Sequence, residues 1–184
     1  MIFVTVGTHY KGFPRLVKEM DSIAAEIDQK VIIQTGFTNY KPENAEWFDF
    51  VEESRIKGYY KNADVIVTHG GAGSLLDCLK YSPSIIVVPR LKKYNEHLDD
   101  QQIDLALALQ IQGKVTTVLD TNELKHELEN RLNPELQNEL KPTPKNKLET
   151  ETDINLIKNN NNPPNHENNK NLVIFLENYL KGTE

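Results

Sequence analysis

The sequence predicts a three-layer α/β domain built on a parallel sheet, and three observations carry that expectation. Short apolar runs recur through the first 120 residues: "IFVTVG" (2–7), "VIIQT" (31–35), "WFDFV" (47–51), "DVIVT" (64–68), "SIIVVP" (84–89) and "KVTTVL" (114–119). Several are continuously apolar, as strands buried on both faces of a sheet are. Segments that can form helices lie between them, and parallel neighbours need such crossovers.

Taken in order, the run at 2–7 is a strand that starts almost at the first residue. Residues 12–28 form a helix, because Phe13, Leu16, Val17, Met20, Ile23, Ala24 and Ile27 repeat at a 3.6-residue spacing with charges opposite. Strands follow at 31–35, 47–51 and 64–68, and a glycine-rich loop then leads into a helix over 72–81. After the strand at 84–89, "IDLALALQIQG" (103–113) alternates in a way that periodicity alone assigns to a strand. Ala106 and Ala108 are strong helix formers and Gly113 is a natural stop, so the segment reads as the crossover helix. The strand at 114–119 leads to Asp120-Thr121, a cap for a last helix over 121–132.

With 184 residues the chain is one domain of ordinary size plus an appendage. Its net charge of −6 argues against a surface for nucleic acid or another polyanion that covers the whole protein, and leaves room for a local basic patch. One cysteine, Cys78, excludes an intrachain disulfide framework and fits a reducing compartment. "MIFVTVG" leaves no room for a leader peptide, and no stretch approaches the roughly 20 apolar residues of a membrane span. The expected location is cytoplasmic, with any membrane contact peripheral and through a partner. Composition changes after Leu132: residues 133–171 hold 12 Asn, 5 Pro and no aromatic residue. The domain is therefore expected over 1–132, a flexible Asn/Pro-rich linker over 133–170, and an amphipathic helix over 171–184 with Leu172, Phe175, Leu176 and Tyr179 on one face. That apolar stripe docks either on its own domain or on another chain.

Three strand ends carry the candidate chemistry. "VIVTHGGAGSLLD" (65–77) places His69, Gly70, Gly71 and Gly73 between a strand and a helix. Glycines there let the backbone approach a ligand, and the following helix aims free N–H groups and a partial positive charge at it. A tight turn alone also accounts for the glycines. No Gly-Lys-Ser/Thr follows, and Gly71-Ala72-Gly73 lacks a third glycine in register, so neither a nucleoside-triphosphate loop nor a dinucleotide fingerprint is present. At the first strand end, "GTHYKGF" (7–13), Gly7 and Thr8 are placed to offer a backbone N–H and a hydroxyl to a phosphate. At the fifth, "RLKKYNEHLDDQQ" (90–102) supplies Arg90, Lys92 and Lys93 for a diphosphate or an acidic partner. It ends in carboxylates and two carboxamides of the kind that read sugar hydroxyls. The same run also reads as a solvated loop and helix cap.

"FVTVGTHYKGFPRLVKEMD", "VIIQTG", "ADVIVTHGGAGSLLDCLK" and "IIVVPRLKKYNEHLDDQQ" together resemble the C-terminal domain of glycosyltransferase family 28, in order and over about residues 1–125. More narrowly they resemble its single-domain branch. That branch includes the catalytic subunit of the bipartite UDP-N-acetylglucosamine transferase of dolichol-linked oligosaccharide synthesis and its microbial exopolysaccharide relatives. The resemblance implies a Rossmann-like fold equivalent to the donor-binding half of a GT-B enzyme. It implies an inverting transfer from a UDP-sugar, N-acetylglucosamine or another hexose, to a lipid-linked acceptor held by a membrane-associated partner subunit. By motif, Thr8 meets the donor diphosphate, Gly73 and Ser74 hold the α-phosphate, Asp77 binds the ribose hydroxyls, and Gln101 and Gln102 read the transferred sugar. His69 and His97 match recurrent positions. His69 or His9 is either the general base or a hydrogen-bonding group, and the base can also lie on the partner. No cofactor or metal is expected, since Asp99-Asp100 lacks a third ligand at an obvious spacing. A self-sufficient homo-oligomer and a non-catalytic nucleotide-sugar-binding module are the competing readings. "KYSPS" (80–84) departs from a family turn where a glycine-proline pair is common, and "LVIFLENYL" is a candidate partner contact.

Overall fold

The computed structural model describes residues 1–82 and 84–133. The linker and terminal helix expected over 133–184 lie outside the described residues, except for Asn133, as does Pro83 of the "KYSPS" turn. Six strands form one sheet: β1 (Ile2–Thr5), β2 (Val31–Gln34), β3 (Glu46–Phe48), β4 (Val65–Thr68), β5 (Ile85–Val87) and β6 (Thr116–Thr117). Their order is β3-β2-β1-β4-β5-β6, and every pairing is parallel. The Rossmann-like α/β class expected from sequence is the one found.

Among the described residues five α-helices cover the two faces: α1 (Pro14–Ala24), α2 (Glu53–Asn62), α3 (Ala72–Tyr81), α4 (Gln101–Ile111) and α5 (Leu124–Leu132). In a strand, successive side chains point to opposite faces. Ile2 and Val4 therefore join α1 and α5 in one core with Leu16, Val17, Met20, Leu124 and Leu128. Phe3, between them, faces the other core with Leu75, Cys78, Leu105 and Leu109 of α3 and α4. Both faces being covered explains the unbroken apolar runs.

The chain winds outward from β1 to β3 and then returns to the other side of β1. This reversal places the carboxyl ends of β1 and β4 side by side at a switch point, where such sheets leave a crevice for a ligand.

Several elements differ from the sequence reading. Pro14 takes the first turn of α1, and Gly12 precedes it at φ 65°, so the helix is shorter than 12–28. The strand expected over 47–51 pairs only at 46–48, and the last of its expected residues depart as Asp49 turns to accept a bond from the Thr35 hydroxyl (2.7 Å). Helix α2 has no counterpart in the sequence reading. Its sequence is mostly polar and only Tyr60 is fully buried, so its apolar stripe is faint. The alternating segment is indeed the helix α4, stopped where Gly113 adopts φ 70°. Asp120 caps a short 3-10 turn by accepting from the Asn122 amide (3.0 Å), and α5 starts after it.

The connection from β2 to β3 is stapled by a carboxylate on α1. Asp21, 1% exposed, accepts from the Tyr40 hydroxyl (2.6 Å) and from the amides of Glu43, Asn44 and Ala45 (3.0, 2.8 and 3.1 Å). Burial pushes this carboxyl up, but the four donors prevail and hold it below the ordinary carboxylate range.

Candidate functional site

Three loops meet at the switch point: residues 6–13 after β1, 69–71 after β4 and 88–100 after β5. Two buried glutamines tie them down. Gln102 Oε1 accepts from the amides of Gly70 (3.2 Å) and Arg90 (3.1 Å), joining the second loop to the third. Gln34 Oε1 accepts from the Thr5 hydroxyl (2.7 Å) and the amides of Val6 and Gly7 (3.2 and 3.1 Å), while its Nε2 donates to the carbonyls of Gly7 and Asp49 (3.0 and 3.2 Å). The Gly7 N–H is thus committed inside the protein, contrary to the expectation that it is offered to a phosphate. Gln34 was not singled out from sequence. The available signal was a lone carboxamide inside the apolar run "VIIQT", a polar group that cannot stay unpaired where it is 4% exposed.

The glycines have different tasks. A Cβ on Gly7, which has φ 71°, falls 2.4 Å from His69 Cε1, and one on Gly71 falls 2.3 Å from His69 Nε2. A Cβ on Gly70 falls 2.7 Å from the Gln102 Cβ. These three make room for neighbouring side chains, so the imidazole of His69 lies between two glycines. Gly73 is different: an added Cβ has nothing within 4 Å. It is exposed on the first turn of α3, next to half-buried Ser74. Thr8 is exposed across the crevice, and Asp77, a turn further along α3, lies 3.7 Å from the Lys80 ammonium. Gly7→Ala is expected to cost about 1–2 kcal/mol through its left-handed backbone alone, before any displacement of His69. Urea denaturation checks this, and an unchanged midpoint contradicts it.

Burial pushes the His69 imidazole down to about 4, with the Arg90 charge adding to the effect. The ring is neutral at pH 7, and its Nδ1 is buried with no hydrogen-bond partner. His9 is less buried and is also lowered, first by desolvation and then by Arg90, His97 and Lys11. Its ring stacks on Tyr10 (4.8 Å) and approaches His97 (5.4 Å), and its Nδ1 accepts from the Lys11 amide (3.4 Å). His97 Nδ1 is 3.1 Å from Asp99 Oδ1, which also accepts the Gln101 amide (3.2 Å). Asp100 Oδ1 accepts the Lys92 amide (2.9 Å), and Gln101 itself is exposed.

Arg90 departs from the expectation that it meets a diphosphate or an acidic partner. It is 0% exposed, with its guanidinium bonded to backbone carbonyls beneath the first loop. Lys92 and Lys93 do stay exposed on a 3-10 turn, Lys92–Tyr94. The third loop is anchored by Glu96, 7% exposed, whose two oxygens each lie 2.9 Å from Arg15 of α1. Glu96 Oε2 also accepts the Leu91 amide (2.9 Å), and Arg15 donates to the Pro89 carbonyl (2.9 Å). At the ends of β2 and β3 an adjoining cleft of about 310 Å³ is lined by Phe37, Thr38, Asn39, Lys41, Asp49 and Phe50.

Comparison with solved structures gives the fold alone. The glycotransferase of kitacinnamycin has a TM-score of 0.54 at 20% identity, covering 74% of this chain and 36% of that one. MurG of Acinetobacter baumannii has a TM-score of 0.53 at 17% identity, covering 72% and 42%. In sequence, the UDP-N-acetylglucosamine transferase subunit ALG13 of Candida albicans is 32% identical over 71 residues, a stretch that spans 39% of this chain and 23% of that relative. A model of the glycosyltransferase family 28 C-terminal domain matches residues 1–160. With most of its length matched and the parallel sheet in place, this chain belongs to the glycosyltransferase family 28 C-terminal domain family.

Proposed function

We propose that the chain is the donor-binding and catalytic subunit of a two-component inverting glycosyltransferase, transferring N-acetylglucosamine or another hexose from a UDP-sugar to a lipid-linked acceptor. The observation that carries the reading is the open first turn of α3: Gly73 faces empty space at the switch point while its glycine neighbours are filled by protein. A diphosphate bound there meets the unsatisfied N–H groups and positive end of a ten-residue helix, with the Ser74 hydroxyl beside them. As the acceptor oxygen attacks the anomeric carbon, the bond to the diphosphate breaks and negative charge grows on UDP. Preorganised amides stabilise that charge. Thr8 contacts the diphosphate from the opposite loop, Asp77 the ribose hydroxyls, and Gln101 the sugar, toward which Gln102 has only its amide nitrogen to offer because its Oε1 is taken by the Gly70 and Arg90 amides. The transfer needs no metal in this reading, because preorganised amides meet the charge that a metal would otherwise balance.

Neither histidine suits the role of general base. His69 at about 4 is too weak an acceptor near neutrality. His9 Nδ1 already accepts the Lys11 amide, which puts the proton of the neutral ring on Nε2. In this reading the acceptor's proton passes to a base on the partner. That partner subunit supplies the acceptor half and the peripheral membrane location; among the described residues no helix is long and apolar enough to cross a membrane. Support for two components comes from the Candida albicans relative, which is named as a subunit of a transferase.

Calorimetric titration with UDP tests the donor site, and Gly73→Ala sharpens it. Replacing a helical glycine gains about 0.5–1 kcal/mol of stability. The variant is thus expected to melt no lower than the wild type while binding UDP at least tenfold more weakly. A wild-type chain that ignores UDP, or a variant that binds it equally well, sinks the reading.

A further inference from the structure

We infer that Arg90 is a positioning residue, a clasp that holds the two ends of the first loop together and so shapes the surface facing the donor. The inference rests on the donor-site reading for its consequence, but its geometry stands alone. From the end of β5, Arg90 Nη2 donates to the Val6 carbonyl (2.9 Å) and Nη1 to the Gly12 carbonyl. Those two carbonyls flank Gly7, Thr8, His9, Tyr10 and Lys11, the whole exposed part of the loop. Phe13, the next residue, lays its ring 4.5 Å from the guanidinium carbon, a cation–π contact that keeps the fork in its plane.

A planar guanidinium is suited to this task because it offers several N–H donors at fixed angles. An ammonium also has several donors, but it gathers them on one nitrogen at the end of a flexible stem and cannot present two nitrogens held apart in one plane. The residue is also wired to the other two loops. Its own amide shares Gln102 Oε1 with the Gly70 amide, so displacement of the first loop is felt at the start of α3. Burial lowers the Arg90 guanidinium to about 10, which leaves it a cation at pH 7. Glu96 favours that charge through space, while its own oxygens are taken by Arg15 and the Leu91 amide. The charge thus sits under the crevice with Nη1 and Nη2 bonded to the backbone and the buried Nε without a partner.

The test uses the full chain with Arg90→Lys and Arg90→Met. The methionine variant removes the buried charge altogether and is the one expected to fold most readily. Amide hydrogen exchange is followed without ligand, and UDP affinity is measured separately. In both variants exchange in residues 7–13 is expected to speed up at least tenfold while β4 (65–68) changes by less than threefold. UDP binding is expected to weaken at least tenfold, with lysine restoring only part of the loss. Loop exchange within twofold of the wild type overturns the inference, as does acceleration spread evenly through the core, which marks a residue that only stabilises. Lysine behaving like arginine overturns the role of the fork. If the loop loosens as expected but the wild type does not bind UDP, the donor reading has failed and the clasp stands.

Discussion

Acidification from pH 6.5 to 4 is expected to cost the fold about 3 kcal/mol through His69 alone, since each pH unit is worth about 1.4 kcal/mol for one shifted group. The imidazole titrates near 6.5 in the unfolded chain and near 4 in the folded one. Between those values the unfolded state binds the extra proton, so stability falls as pH falls through the window and levels off below 4. The cause is burial: with glycines 7 and 71 against the ring a second proton is poorly solvated, and the Arg90 charge opposes it, which together outweigh the help of the Thr5 backbone. His9, also lowered, adds a contribution of the same sign, whereas Glu19, raised by burial, opposes it. Asp21 acts in a separate range: its contribution is present above 3.8 and is lost as pH drops through its lower folded value. Urea denaturation at intervals from pH 7 to 4 measures the slope, and His69→Asn is expected to flatten it. A variant with the wild-type slope would assign the effect elsewhere.

Glu96→Ala is expected to destabilise the protein by about 3–5 kcal/mol, because removing one partner of a buried ion pair strands the other. Arg15 is left without its fork-to-fork partner and the Leu91 amide without an acceptor. The pair spans 81 positions of sequence and pins the loop carrying Lys92, Lys93 and His97 to α1, so the damage includes the site. An ion pair of this kind offsets its own desolvation without large surplus. The double variant Arg15→Met/Glu96→Leu is therefore expected to recover most of the lost stability. Thermal melts of the single and double variants decide the matter. A single variant within 1 kcal/mol of the wild type would show that the pair is not needed.

Much of the fold was legible because the physics behind it is local. Continuous apolar runs announce strands covered on both sides, and turn residues such as Gly113 and Asp120 announce the ends of helices. Helix α2 escaped notice because its burial is slight, and little apolar periodicity is needed to hold a half-exposed helix. The glycine loop, Thr8 and the stretch ending in the glutamine pair are legible as segments that follow strands, and the parallel sheet brings those strand ends to one edge. What each glycine is for was not legible. Sequence marks a glycine without saying whether protein or ligand occupies the space where its Cβ is missing.

The sequence by itself determined the layer architecture, the strand order of appearance and the phosphate-suited turn between β4 and α3, since spacing and residue type depend on neighbours along the chain. Tertiary structure alone decided which polar groups are spent inside the protein. Gln34 closes on the Gly7 amide, Gln102 on two loops, Arg90 on Val6 and Gly12, and Glu96 on Arg15, across separations of 12 to 84 residues. Such partners are chosen by the sheet's winding, because a buried donor or acceptor pairs with whatever the fold places within reach. Gly73 remains open for the same reason: of the glycines in the loop after β4, it is the one whose missing side chain no other part of the described chain fills.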